Sequence, residues 1–151
     1  MFVDCEQQFI FVLMQERAVQ LLKQHGLRKT EMRRQVLDVF LEAERRAISQ
    51  PDLQAALPEA DYVTLYRILG SFEEKGIIHQ VVDGGTATKY ALCHAACDEH
   101  EHHDNHAHFR CHQCDRTVCL DGTIASKLRI PNGFTVEQTH LVLEGICDQC
   151  Q

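Results

Sequence analysis

Two cysteine pairs, Cys111-x-x-Cys114 and Cys147-x-x-Cys150, carry the plainest chemistry in this 151-residue chain. A C-x-x-C turn lets two thiolates converge on one metal, and two such turns complete the tetrahedron that zinc prefers. One pair alone could be a redox couple or two buried cysteines, whereas two pairs bracketing one element favour structural zinc. The 32 residues between Cys114 and Cys147 exceed the usual zinc-ribbon spacing, so a small α/β element is required to bring the pairs together. Filled by four sulfurs, such a site is closed. It stabilises, and it leaves no position open for catalysis.

A second, mixed set consists of His79, Cys93, His106, His108 and Cys119. His106-x-His108 projects both imidazoles to one side of a strand. Nitrogen and sulfur together suit zinc and other borderline-soft ions better than Ca²⁺ or Mg²⁺. Because these residues come from both halves of the chain, metal bound among them would fix the hinge and shift the population toward one geometry, as a metal switch does. The residues His100, His102 and His103 read as a loose His-rich tract. His25 and His112 read as ordinary surface or core residues, Cys97 as incidental, and Cys5 has no identifiable partner.

The elements that must position these groups follow from periodicity and punctuation. A helix through Ala18, Val19, Leu21 and Leu22 ends at Gly26. Thr30 caps a second helix with Val36, Leu37, Phe40 and Leu41 on its apolar face. Ser49 and Asp52 resemble a capping box with Pro51 in the first turn, opening a short helix that buries Leu53, Ala56 and Leu57. Asp61 caps a fourth helix to Lys75, closed by Gly76, with Leu65, Ile68, Leu69 and Phe72 inward. Strand-like runs at residues 77–82 and 86–92 flank Asp83-Gly84-Gly85, a hairpin turn. Helices followed by a small hairpin give the winged helix-turn-helix layout. Beyond a polar connection at 93–106, short strands surround the first cysteine pair, then come a short helix near 123–128 and an alternating run at 134–143. The expected fold is therefore α+β: a winged-helix DNA-binding domain over 1–92 and a small α/β dimerisation and metal-binding domain over 93–151.

The outer face of the fourth helix offers Tyr66 and Arg67, with Thr64 and Tyr62 near its start. Arginine can pair bidentately with guanine, and tyrosine can pack on a thymine methyl or bond a phosphate. Tyr62 reads equally as packing beside the helix. Arg28, Lys29 and Arg33 suit phosphate anchoring, which gives affinity without sequence information. Net charge is −7, but it is unevenly spread. Between Arg17 and Arg34 stand six basic residues against one acid, and from Ala91 onward nine acids against four bases. That asymmetry accommodates a DNA-facing half and an acidic regulatory half.

An apolar fraction of 44% with 25% charged residues excludes a disordered chain. No window supplies the ~20 apolar residues of a membrane helix. The apolar residues 9–14 follow Asp4 and Glu6 rather than a basic stretch, so they read as an extra helical turn, or as lying ahead of a start at Met14, and not as a signal peptide. A cytoplasmic protein is expected, in which eight cysteines and ten histidines mean metal rather than disulfides.

Taken in order, these pieces resemble the ferric uptake regulator family from about Ala18 to Cys150. They are Leu27-Arg28-x-Thr30-x-x-Arg33, Thr64-Leu65-Tyr66-Arg67-x-Leu69, Gly76-Ile77-Ile78 and Tyr90-x-Leu92. Then come His106-x-His108-Phe109-x-Cys111-x-x-Cys114, Pro131-x-Gly133-Phe134 and Gly145-x-Cys147-x-x-Cys150. The resemblance implies a homodimer whose two recognition helices read palindromic double-stranded operator DNA, repressing metal-uptake genes when loaded with metal. Within the family the chain is most similar to the zinc uptake regulator branch, because His79 and Cys93 fall where zinc sensors carry regulatory ligands. Iron- and peroxide-sensing members place a histidine near Ala47 and a carboxylate near Ala91. Cys119 stands where many relatives have Glu or Asp, which softens the site. An optional third site would need ligands near Asn105, Ala107, Ser126 and Thr139, so two Zn²⁺ per subunit are implied, one structural and one regulatory.

Other readings are a family member sensing iron, manganese, nickel or peroxide, a zinc enzyme, and a zinc-ribbon interaction module without DNA binding. An enzyme would want an open metal position and a nearby base, and neither H-E-x-x-H nor H-x-E…P-C-x-x-C occurs. The chain is read as a regulator, not an enzyme.

Overall fold

The computed structural model describes residues 5–93, 106–123 and 129–151. Four helices come first: α1 (Cys5–Gln24), α2 (Glu31–Ala43), α3 (Gln50–Ala56) and α4 (Tyr62–Glu74), with a two-residue strand β1 (Ile48–Ser49) between α2 and α3. Strands β2 (Ile78–Val81), β3 (Lys89–Leu92), β4 (His106–Cys111), β5 (Thr117–Thr123) and β6 (Val142–Gly145) follow.

Helix starts sit where the caps dictate. The Thr30 hydroxyl accepts the Arg33 N–H at 3.4 Å, and Ser49 and Asp52 form a reciprocal capping box. Asp61 accepts the Thr64 N–H at 3.0 Å. Each cap satisfies a donor that the helix itself leaves orphaned, worth about 1 kcal/mol. The apolar faces then close one core, in which Leu22, Leu37, Phe40, Leu53, Leu65, Leu69, Phe72 and Ile78 are almost wholly buried. Full burial of each such side chain stabilises by about 1.5–3 kcal/mol. Ala56 departs from expectation and is exposed; from this short helix Leu53 is buried in the core, and Leu57 at its end packs against it half-buried.

Behind α4 lies a three-stranded antiparallel sheet in the order β1-β3-β2. His79 on β2 pairs with Ala91 on β3. The β-hairpin is shorter, and its loop longer, than the glycine pair suggests. Residues 82–88 leave the ladder because Asp83 turns inward, accepting the Gly85 N–H at 2.9 Å and the Lys89 ammonium at 2.8 Å.

The second sheet has the order β5-β4-β6, with β5 antiparallel and β6 parallel to β4. Thr123 ends β5, and the short helix expected near 123–128 otherwise lies outside the described residues. The alternating run at 134–143 becomes strand only from Val142. The Leu141 carbonyl accepts the His108 N–H at 2.9 Å, whereas residues 134–140 pair with no strand among the described residues, and Phe134 (72% exposed) and Val136 (53%) stand in solvent.

The two sheets are joined along one side of β5. The Ala47 N–H donates to the Thr117 carbonyl, and the Cys119 N–H to the Arg45 carbonyl, each at 2.9 Å. Ala47, Val81, Ala91 and Cys119 form a small buried cluster at this seam. Thus β5 contributes at once to the second sheet and to the face of the first.

Candidate functional site

The four-cysteine knuckle is built by register. In the parallel pairing, Cys111 lies beside Gly145, which brings Cys147 alongside Cys111 two residues later. The turn after β4 closes with the Asp115 N–H on the Cys111 carbonyl at 2.9 Å, with Asp115 at a φ of 60°. A second turn places the Cys150 N–H 3.1 Å from the Cys147 carbonyl. All four sulfurs lie within 4.8 Å of one another, and Cys114 Sγ stands 3.7 Å from Cys147 Sγ. With Zn–S bonds of about 2.3 Å, a tetrahedron has S–S edges of about 3.8 Å, so the donors match zinc in number and spacing.

Thiol acidity is strongly uneven here. Backbone N–H groups of Cys147 and Cys114 pull the Cys111 thiol down to about 6. Hydrogen bonding to Cys147 and Cys114 pushes Cys150 up to about 12. Cys111 is the thiol most readily ionised in this cluster, and a divalent cation bound there would displace the protons of the others.

The mixed set also assembles. Antiparallel pairing sets His108 directly opposite Cys119, and a register shift in β4 lies between His106 and His108. His79 reaches the same point from β2. The donor atoms of His79, His106, His108 and Cys119 all lie within 4.8 Å of one another. His79 Nε2 stands 3.5 Å from His108 Nε2 and 3.8 Å from Cys119 Sγ. Tetrahedral zinc with nitrogen and sulfur ligands wants donor edges of about 3.3–3.8 Å. Cys93, the fifth residue of the set, lies on the other side of the His79 ring, with its Sγ 3.6 Å from Nδ1. From there Cys93 is placed either to join the donors, with the ring turned, or to orient His79. Around the cluster, Ala47 and Ala91 are both buried against Cys119. Their methyl groups occupy ground from which a longer side chain could have reached the donors.

On the side expected to face DNA, Tyr62 and Tyr66 are each 63% exposed, and Arg67 is exposed one turn beyond Val63, itself 53% exposed. Four residues apart, Tyr62 with Tyr66 and Val63 with Arg67 share the outer face of α4. The start of this helix is fixed by the Gln50 side-chain amide, which donates to the Tyr62 carbonyl at 3.1 Å. Thr64 is half-buried, and its hydroxyl donates to the Asp61 carboxylate, so its side chain serves the cap. Arg28 and Lys29 are exposed. Arg33 is half-buried and donates to the Arg28 carbonyl at 3.1 Å. Arg34 is bound by Glu31 and Asp38 and is spent as an anchor.

Sequence reasoning missed a buried ionic network at the seam. Lys89 Nζ donates to Asp83 Oδ2 (2.8 Å), the Asp115 carbonyl (2.7 Å) and Thr117 Oγ1 (3.1 Å). The Thr117 hydroxyl in turn donates to Asp83 Oδ2 at 2.6 Å. Burial would raise the Asp83 carboxyl, but Lys89, Thr117 and the Gly85 N–H outweigh it and hold it below the usual carboxylate range. Its sequence signal is slight: a lysine at the head of the short strand Lys89–Leu92.

The family model described as "Ferric uptake regulator family" matches residues 24–144. Ferric uptake regulation proteins of Bordetella parapertussis and Staphylococcus aureus are 32% and 33% identical, over 86% and 89% of this chain and 94% and 96% of their own lengths. Among solved structures, a zinc uptake regulator complexed with zinc and DNA aligns with a TM-score of 0.60 at 27% identity, covering 91% of this chain and 92% of that one. The Vibrio cholerae ferric uptake regulator aligns with a TM-score of 0.59 at 24% identity, covering 85% of this chain and 98% of that one, and so speaks to the fold alone.

Proposed function

The chain belongs to the ferric uptake regulator family, whose members regulate transcription of metal uptake, and from that premise we propose that it is a zinc-responsive repressor. The observation that carries this reading is the convergence of three imidazoles and a thiolate from β2, β4 and β5, with methyl groups at Ala47 and Ala91 beside them. Three nitrogens and one sulfur form a set that suits zinc better than harder ions. A bound ion would supply the positive charge that lets these groups crowd together.

The residues divide the work. His79 belongs to the hairpin of the DNA-binding half, whereas His106, His108 and Cys119 belong to the second sheet, so ligation pins one to the other. Cys93, 3.6 Å from His79 Nδ1, completes the set as a further donor or as the group that orients that ring. Cys111, Cys114, Cys147 and Cys150 hold the structural zinc. Tyr66 and Arg67 read bases, with Tyr62 and Thr64 beside them, while Arg28, Lys29 and Arg33 hold phosphates. Two copies, each divided near residue 92, place their α4 helices on the halves of a palindromic operator. The solvent-exposed Phe134 and Val136 are surface that a second copy would cover. The setting is cytoplasmic, and among the described residues no helix is long and apolar enough to cross a membrane.

A second reading, iron sensing, is favoured by the names of the 32–33% identical relatives. Operator binding measured by fluorescence anisotropy against buffered free zinc, iron and manganese decides between them. Saturation at the lowest free concentration by zinc supports the proposal. Anaerobic ferrous iron acting first, with zinc inert, overturns it.

A further inference from the structure

We infer that Lys89 is a positioning residue through which the four-cysteine knuckle holds the wing, so that ligation in the knuckle bears on where the wing sits as well as on stability. This rests on the reading of the 78–92 hairpin as the wing of a DNA-binding domain. Lys89 opens β3, yet its side chain is only 6% exposed, and all three ammonium hydrogens are directed to acceptors. One acceptor, Asp83, belongs to the wing loop. The other two, the Asp115 carbonyl and the Thr117 hydroxyl, belong to the β4–β5 turn and to the start of β5.

Asp115 gives this contact its meaning. It directly follows Cys114 and closes the knuckle turn through its N–H on Cys111. Its side chain is held in place as well, by Arg110 Nε at 2.8 Å and by Lys89 at 2.9 Å. The peptide that presents one cysteine to the knuckle therefore presents its next carbonyl to the wing. A buried ammonium gives up an acceptor only at high cost, so the turn and the wing must move together or separate altogether. The mixed His/Cys site joins the same two sheets by a different route, through His79. The Lys89 network is thus a fastening between wing and second sheet that does not run through the candidate sensing residues.

The test uses the full-length protein and hydrogen exchange of the wing amides, a readout that needs neither DNA nor a choice of sensed metal. Cys114→Ser opens the knuckle turn, and Lys89→Met removes the donors at similar length. In the wild-type background Cys114→Ser is expected to speed wing exchange by about tenfold or more, an effect of the size that neighbouring, coupled groups show. In the Lys89→Met background the wing already exchanges fast, and Cys114→Ser should add less than about twofold, well short of additivity. Lys89→Met should also weaken operator binding while leaving bound zinc at the wild-type stoichiometry. Equal acceleration by Cys114→Ser in both backgrounds overturns the inference. So does wild-type wing exchange in Lys89→Met. Should Lys89→Met fail to fold, Thr117→Val removes one acceptor without changing shape and must show the same non-additivity. Because exchange is read without operator, a protein that proves to sense iron leaves this result intact.

Discussion

Cys114→Ser isolates the contribution of the knuckle from that of the core. Of the four cysteines, Cys111 and Cys147 are buried, and replacing either disturbs packing as well as ligation. Cys114 is exposed, so its replacement removes the proposed ligand with little loss of packing. Binding of structural zinc contributes about 10–16 kcal/mol in small zinc-dependent domains, and an equal share for each of four ligands is about 2.5–4 kcal/mol. For a chain of this length each kcal/mol moves the midpoint of thermal unfolding by about 2–4 °C, so the expected loss is on the order of 10 °C. That is a large part of the ~5–15 kcal/mol that holds a typical domain together. The assay is thermal unfolding by circular dichroism, with and without a strong chelator, alongside zinc analysis of the purified protein. Wild type should fall steeply on chelation, whereas Cys114→Ser should start low and respond much less. A variant that keeps both the wild-type midpoint and the full zinc content would refute the assignment of Cys114 as a ligand, and with it the closed tetrahedron.

Arg67→Ala should reduce discrimination at one operator base pair by about 1–3 kcal/mol, read by competition between operator and single-base variants, and unchanged selectivity would remove Arg67 from base reading. Cys93→Ser should weaken metal binding at the mixed site by about 10–100-fold, the usual effect of losing the group that orients a ligating histidine. Complete loss of that ion in a competition titration would instead place Cys93 among the donors themselves. For Asp83→Asn the sign follows from a carboxyl held below its ordinary value. Its contribution is fully present above the unfolded value of about 3.9 and is lost as the pH falls through the folded one. The stability gap between wild type and Asp83→Asn in urea titrations should therefore stay constant from neutrality to about pH 4 and close below it. A gap that closes between pH 7 and 5 would assign the effect to a histidine.

Local rules suffice to make the helical half legible in the amino-acid sequence. Thr30, Ser49 with Asp52, and Asp61 each cap a helix where their residue type predicts, and the inward faces of α2 and α4 follow the 3.6-residue period. Legibility weakens wherever placement depends on distant partners. The wing loop is longer than Asp83-Gly84-Gly85 suggests, because Asp83 answers to Thr117, 34 positions away. The run at 134–143 alternates like a strand, but alternation supplies no neighbour to pair with, and only Val142–Gly145 finds one in β4. Donor types at the mixed site can be read from sequence because imidazole and thiol are rare and chemically distinctive. The division of the two His79 nitrogens cannot, since it depends on the order in which strands from two sheets meet. The Lys89 network is hidden for a related reason: a lysine in a strand reads as solvated until its acceptors are known.

The parallel pairing of β4 with β6 also has a consequence in time. Helical segments close on near neighbours and assemble quickly, whereas parallel strands must wait for a long stretch of chain to fold back, at an entropic cost repaid only after contact is made. In this chain that cost falls on the joining of Cys111 and Cys114 to Cys147 and Cys150, and the groups that would repay it are the proposed zinc ligands. A newly made copy in a metal-poor cell would accordingly be more than an empty receptor. Its helices would stand finished beside a second sheet still unclosed, and the supply of metal would govern how many working copies exist before it governs what any of them does.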